Sequence, residues 1–478
     1  MNRLILEPAT RQLELLRSGE VSIRELAESH LHQIARLNPV LNVFADFNPT
    51  RVRADAARLE AIPRAARGPL HGLPVTVKSS IAAAGFKCEI GSLLRKGEVP
   101  TEDALVVARL RAAGALILGT TNCPEFLMAY ETANLLHGST HNPWDLARSP
   151  GGSSGGESAA IAAGLSSGGL GSDSGGSVRV PAHFTGICSL KPTPGRFPGR
   201  GHLPPCVGPF AVLGAIGPMA RTIADVSLLF HTLAGQDAQD PSSPPIAPRA
   251  VSPQALRAHP VGFFEDDGLV PVTPETRAAI HSAAAALREA GFLVEPFRPR
   301  SLEPLRRLWD IFFVQCGAMF YAPEIQGREH LLSPIFREFL DIAESRPKLS
   351  ATELLNAWAE LDLVRSQMLA EMAAFPVLLC PVASIPAFRP GERSWIPEPS
   401  GFGAMASREV HYLDAVRHTQ WFNALGAPAA VVPVGQSPEG LPIGVQIAGR
   451  PYEDEVVLGV AAVVDAAFGY RPPPMAQE

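Results

Sequence analysis

No stretch of this chain reaches the ~20 consecutive apolar residues that a membrane-spanning helix needs. The opening residues, MNRLILEPATRQLELL, are too briefly apolar for a secretory signal and carry no small-residue cleavage site. Positive charge is lacking too. The net charge is −6 and no Lys/Arg cluster stands out, which removes the electrostatic footprint of nucleic-acid binding. Six cysteines (Cys88, Cys123, Cys188, Cys206, Cys316 and Cys380) lie far apart with no CxxC pair, so neither a disulfide framework nor a zinc site is expected. No Gly-Lys-Ser/Thr follows the glycine-rich clusters, and Gly169–Ser174 breaks the G-x-G-x-x-G pattern at its last position, which argues against nucleotide binding. None of the 13 histidines sits in a recognisable triad context. The expectation is a soluble, cytoplasmic protein with no metal and no cofactor.

What is present describes a well-packed globular chain: 46% of its 478 residues are hydrophobic and 18% charged. Ser22 and Glu25 form a capping box, and Ile23, Leu26, Ala27, Leu31 and Ile34 continue at helical spacing to about Asn38-Pro39. Leu73–Val77 reads as a buried strand delivering Lys78. A helix at Ala104–Ala113 and a strand ending at Gly119 follow, an alternation typical of an α/β sheet. Near the C-terminus, Val377–Val382, Ala429–Val434 and Ile443–Gly449 read as strands, and Asp454–Phe468 as a helix. With no internal repeat or clean linker, residues 1–478 read as one domain. Within it, 236–375 is expected to be a more variable helical segment that sets substrate specificity. Its aromatics, among them Trp309, Phe312, Phe313, Phe320 and Phe339, suit a core or an apolar substrate wall.

The most informative stretch runs from Ser149 to Pro181. It holds two glycine-flanked serine clusters, GGSSGG at Gly151–Gly156 and SDSGGS at Ser172–Ser177. Glycine runs cost backbone entropy and bury little, so they need a reason; one is close approach of backbone N–H groups to a reacting oxygen. A flexible linker would not embed the helix-prone ESAAIAAG. Gly151–Gly155 also matches G-x-S-x-G, but the nucleophile elbow needs a strand before the serine and LARSP precedes this one. A serine hydroxyl needs a neighbour to take its proton. Lysine can do so when burial keeps it neutral, and Lys78 ends an apolar run where that burial is plausible, although most lysines extend the ammonium to solvent.

Together these residues resemble the amidase signature family of serine hydrolases, most nearly its fatty-acid-amide-hydrolase-like branch. GPLHGLPVTVK, the GGSSGGE…GSDSGGSVRVPA…KPT block and GAPAAVVPVG…GLPIGVQIAGRP stand in family order across nearly the whole chain. The resemblance implies Ser177 as the nucleophile and Ser153, after a cis peptide to Gly152, as the bridging serine lying against substrate. Neutral Lys78 would be the final base. The backbone N–H groups of Ser174, Gly175, Gly176 and Ser177 would form the oxyanion hole, and Leu127 would contact substrate through its carbonyl. Ser154, Asp173 and Arg179 would support the loop. Two departures stand out: Ser79 follows the lysine where many members have Asp, and Ser174 precedes the Gly-Gly pair where isoleucine or threonine is common. The implied fold is an α/β/α sandwich around a large mixed, mostly parallel sheet. The implied reaction is hydrolysis of hydrophobic or aryl amides through an acyl-enzyme, with ester and carbamate (urethanase) cleavage within reach of the same groups. The glutaminase component of a tRNA-dependent amidotransferase shares these motifs; the acidic net charge and the aromatic middle weigh against it. Beyond the small-molecule substrate no partner is implied, and a homodimer is compatible with the sequence.

Overall fold

A computed structural model describes residues 3–396 and 409–477. Eleven strands form the central sheet: β1 (Phe44–Phe47), β2 (Pro74–Lys78), β3 (Leu116–Thr121), β4 (Gly168–Asp173), β5 (Cys188–Lys191), β6 (Ala215–Ala220), β7 (Val261–Phe263), β8 (Val294–Pro296), β9 (Val377–Pro381), β10 (Ala429–Gln436) and β11 (Pro442–Ala448). Their order across the sheet is β1-β3-β2-β4-β6-β5-β10-β11-β9-β7-β8. The parallel pairing expected to dominate is confined to two outer groups, β3-β2-β4 and β9-β7-β8. The strands between and flanking them pair antiparallel. One reason is connection length: the turn 437–441 between β10 and β11 is too short for a crossover.

The alternation of side chains along each strand sorts residues between two faces. In β11, Ile443, Val445 and Ile447 enter the largest core, which also holds the helices Pro274–Glu289 and Asp454–Phe468. Gly444 and Gln446 face the opposite side, where His183 and Arg179 of the helix Arg179–Thr185 meet them. The sheet is thus sandwiched between helices, as expected. The capping box of Ser22 and Glu25 is formed, and its helix runs from Ile23 to Leu41, carrying Pro39 in its last turn. The segment 236–375 is more than a set of helices, because it also supplies β7 and β8. Four of its helices (Leu302–Trp309, Cys316–Ile325, Pro334–Glu344 and Ala351–Glu371), with the helical stretch Asp310–Gln315, build a second core rich in aromatic rings. That core also takes in Phe126 and Met128 after β3, Phe264 after β7, and Leu378 and Cys380 of β9. No described helix is long and apolar enough to cross a membrane.

Candidate active site

Every residue of β2 is buried, and its last one, Lys78, is fully enclosed. Its Nζ hydrogen-bonds Ser153 Oγ at 2.7 Å and Ser172 Oγ at 3.2 Å. Burial disfavours the ammonium and lowers the Lys78 pKa to about 8, against the opposing pull of Cys123, Asp173 and Glu157. Ser79, next along the chain, hydrogen-bonds Cys123 Sγ at 3.3 Å. Behind Lys78, the Glu157 carboxyl takes hydrogen bonds from Thr76 and Thr121; burial raises it to about 8.

The two serine clusters meet around this lysine. The Gly152–Ser153 peptide is cis. Ser153 precedes the helix Gly155–Ala162, and Ser154 links the clusters: its N–H donates to Ser177 O at 3.1 Å, and its Oγ reaches Ser172 O at 3.4 Å. Ser177 stands just before the helix Arg179–Thr185. It remains 8% exposed, whereas Ser153 is 1% exposed. Both serines line one cleft, but the structure records no hydrogen bond between their hydroxyls. Such contacts often tighten only once substrate is bound.

Around the loop Ser174–Ser177, Asp173 and Arg179 form a buried pair with two charge-assisted bonds, at 2.8 and 3.0 Å. Burial alone would raise the Asp173 carboxyl; the Arg179 guanidinium, helped by Asn423, holds it well below the usual carboxylate range. Arg179 also donates to Thr419 O and Gln446 Oε1. Asp173 accepts from the N–H groups of Gly176 and Val178. The Gly176 N–H, one of the expected oxyanion donors, is thus engaged by Asp173 in this structure. Gly176 has φ +124°, and a Cβ there would lie 2.3 Å from Thr419 Oγ1, so only glycine fits.

Leu127 closes the other side. Phe126 and Leu127 have φ of +50° and +68°, a left-handed conformation that costs non-glycine residues about 1–3 kcal/mol each unless neighbours enforce it. The neighbours are identifiable: Tyr321 donates to Phe126 O at 3.2 Å, and the Glu125 carboxylate accepts from Ser92 Oγ and Ser333 N, both at 2.6 Å. Two narrow clefts meet at Leu127, Met128, Ser177 and Phe313. One extends past Phe210 and His202; the other runs along Trp309, Phe339 and Tyr412. Burial lowers His202 to about 4 and keeps it neutral. Among the described residues, no charged side chain lines either cleft.

A family model described as Amidase matches residues 25–458. The chain belongs to the amidase family. This is the amidase signature family that the serine and glycine spacing resembles, and it makes the chain an amide-hydrolysing enzyme. The chain is 34% identical to an acylamidase from Rhodococcus erythropolis, over 96% of this chain and 94% of that protein. It is 33% identical to a glutamyl-tRNA(Gln) amidotransferase subunit from a Synechococcus strain, over 96% of both chains. Among solved structures, 6-aminohexanoate cyclic dimer hydrolase in complex with substrate superposes with a TM-score of 0.83 at 29% identity, covering 99% of each chain.

Several residues of this amidase site escaped the sequence analysis. Ser172, within reach of Lys78, lay inside a cluster already singled out. Thr419, Gln420 and Asn423 lie on the helix Arg417–Leu425 and carried a fainter signal, polar positions in a helix buried along its whole length.

Proposed function

We propose that this amidase hydrolyses neutral, hydrophobic or aryl amides through an acyl-enzyme on Ser177. In this scheme Ser177 Oγ attacks the scissile carbonyl and gives its proton to Ser153, which passes its own to neutral Lys78. The proton then returns along the same path to the departing amine, and water repeats the sequence to release the acid. The oxyanion meets backbone N–H groups of Ser174, Gly175 and Ser177, none of which has an acceptor among the described residues. Leu127 and the segment 301–342 shape the space on either side of the bond. The observation that carries this reading is the fully buried Lys78 Nζ, 2.7 Å from Ser153 Oγ, beneath the cleft into which Ser177 opens. One nucleophile and one set of N–H donors serve amides, esters and carbamates alike, so ester and urethane cleavage belong to the proposal.

The resemblance to the glutamyl-tRNA(Gln) amidotransferase chain favours a second reading, glutaminase activity on behalf of partner proteins. Glutamine is a zwitterion, and its recognition calls for charged groups facing its ammonium and carboxylate. The two uncharged clefts favour the first reading. The test is labelling with a fluorophosphonate followed by peptide mass spectrometry, alongside hydrolysis assays on a neutral anilide and on glutamine. Modification of Ser177 with anilide turnover is expected. Modification of Ser153 or Ser154, or turnover of glutamine alone, would overturn it.

A further inference from the structure

Each carbonyl of the loop Ser174–Ser177 is tied down. Ser174 O accepts from Trp309 Nε1 at 2.8 Å. Gly175 O accepts from Tyr130 Oη at 2.7 Å and Thr419 Oγ1 at 2.6 Å. Gly176 O accepts from Val180 N at 2.7 Å, and Ser177 O from Ser154 N at 3.1 Å. In a planar trans peptide the C=O and the following N–H point in opposite directions, so whatever holds the one aims the other. The grip on Gly175 O thus sends the Gly176 N–H to Asp173 Oδ1, 2.8 Å away. By the same geometry, the grip of Trp309 on Ser174 O sets the direction of the Gly175 N–H, which has no acceptor among the described residues.

Trp309 is itself held in place. It is 3% exposed at the end of the helix Leu302–Trp309, and its ring stacks on Phe313 with centroids 4.8 Å apart at 13°. A Cβ on Gly175 would lie 2.7 Å from Trp309 Cζ2, so the indole and the glycine are fitted to each other. Trp309 also walls the cleft at Ser177.

We propose that Trp309 is a positioning residue for amide hydrolysis: its indole N–H holds the Ser174–Gly175 peptide so that the Gly175 N–H faces the oxygen that becomes negative when Ser177 attacks. This rests on the reading of Ser177 as nucleophile. It gives the segment that walls the cleft a second task, since the same side chain bears on substrate fit and on stabilisation of the transition state. A donor bonded to Ser174 O also polarises the peptide and strengthens its N–H as a donor.

The test uses Trp309→Phe, which keeps an aromatic ring against Phe313 and deletes the N–H. A second protein carries 3-benzothienylalanine at 309, with the indole shape and sulfur in place of N–H. For a neutral anilide, kcat should fall about 10- to 100-fold, less than the 10²–10³ typical of deleting an oxyanion donor outright. KM should change less than about 2-fold, because only interactions made in the transition state are lost. A substrate-shaped boronic acid, which forms a tetrahedral adduct on serine, should lose affinity in proportion to kcat/KM. The neutral product amine should bind as before. Unchanged kcat, or a raised KM with kcat retained, would overturn the positioning role and leave Trp309 as wall alone. If Trp309→Phe fails to fold, the benzothienyl protein decides. Fluorophosphonate labelling of the unmodified enzyme separates the two failures. Absence of label at Ser177 sinks the nucleophile assignment and this proposal with it; label at Ser177 with normal kinetics in both variants sinks only the role of Trp309.

Discussion

Lys78 has only hydroxyls and a carbonyl within reach of its Nζ, so nothing anionic contacts it directly. Its enclosure sets the pH dependence. With a pKa near 8, the ammonium predominates below that value and cannot accept a proton, while the amine predominates above it. Amide hydrolysis should therefore rise with pH through a midpoint near 8, as a pH–rate profile would show. Lys78→Ala should abolish that limb and slow amide cleavage about 10²- to 10⁴-fold, the usual worth of a positioned base. Activated esters, whose leaving groups need no proton, should lose less. Equal losses on an anilide and a nitrophenyl ester would contradict the relay. At this scale the sequence was informative wherever chemistry and neighbours coincide, as in Gly151–Gly156 and Ser172–Ser177. It was silent on residues brought in from afar. Arg179 meets Thr419 across 240 positions, and Asp173 meets Asn423 across 250, and no local pattern announces either contact.

The helix Arg179–Thr185 and the loop before it behave as one unit because Asp173 clamps both. Asp173→Asn would preserve the shape while leaving the buried Arg179 without its counter-charge. Removing one member of such a pair typically costs about 3–5 kcal/mol, and urea unfolding should show a loss of that size. The sign of the pH effect follows from the depressed carboxyl. Its contribution is full above the ordinary Asp pKa of about 3.9 and disappears as acid titrates the folded protein below that value. The expected elements match the structure closely where strong local signals bound them. The helix Asp454–Phe468 begins with two acids, and the helix at Ile23 starts on its capping box. The short strands β7 and β8, three residues each, escaped notice because so brief a run has no measurable period.

For the whole molecule, the uncharged clefts imply a preference that assays can read. A neutral anilide should be turned over at a kcat/KM at least about 10-fold above that for glutamine, because a zwitterion would forfeit hydration on entering and meet no charged side chain in the two clefts at Ser177. Comparable rates on the two substrates would favour the amidotransferase-like reading.

The strand order also bears on how the molecule is made. β10 and β11 are synthesised after every other strand of the sheet, yet they lie inside it, and β11 alone connects the β9-β7-β8 wing to the rest. Without β11, nothing pairs the three-stranded β9-β7-β8 wing with the rest of the sheet. The same hairpin reaches the site, since Arg179 donates one of its bonds to Gln446 of β11. This last-made hairpin, inserted between strands that all precede it in the chain, is therefore what makes the eleven strands one sheet, and a chain truncated before it should leave the β9-β7-β8 wing unattached.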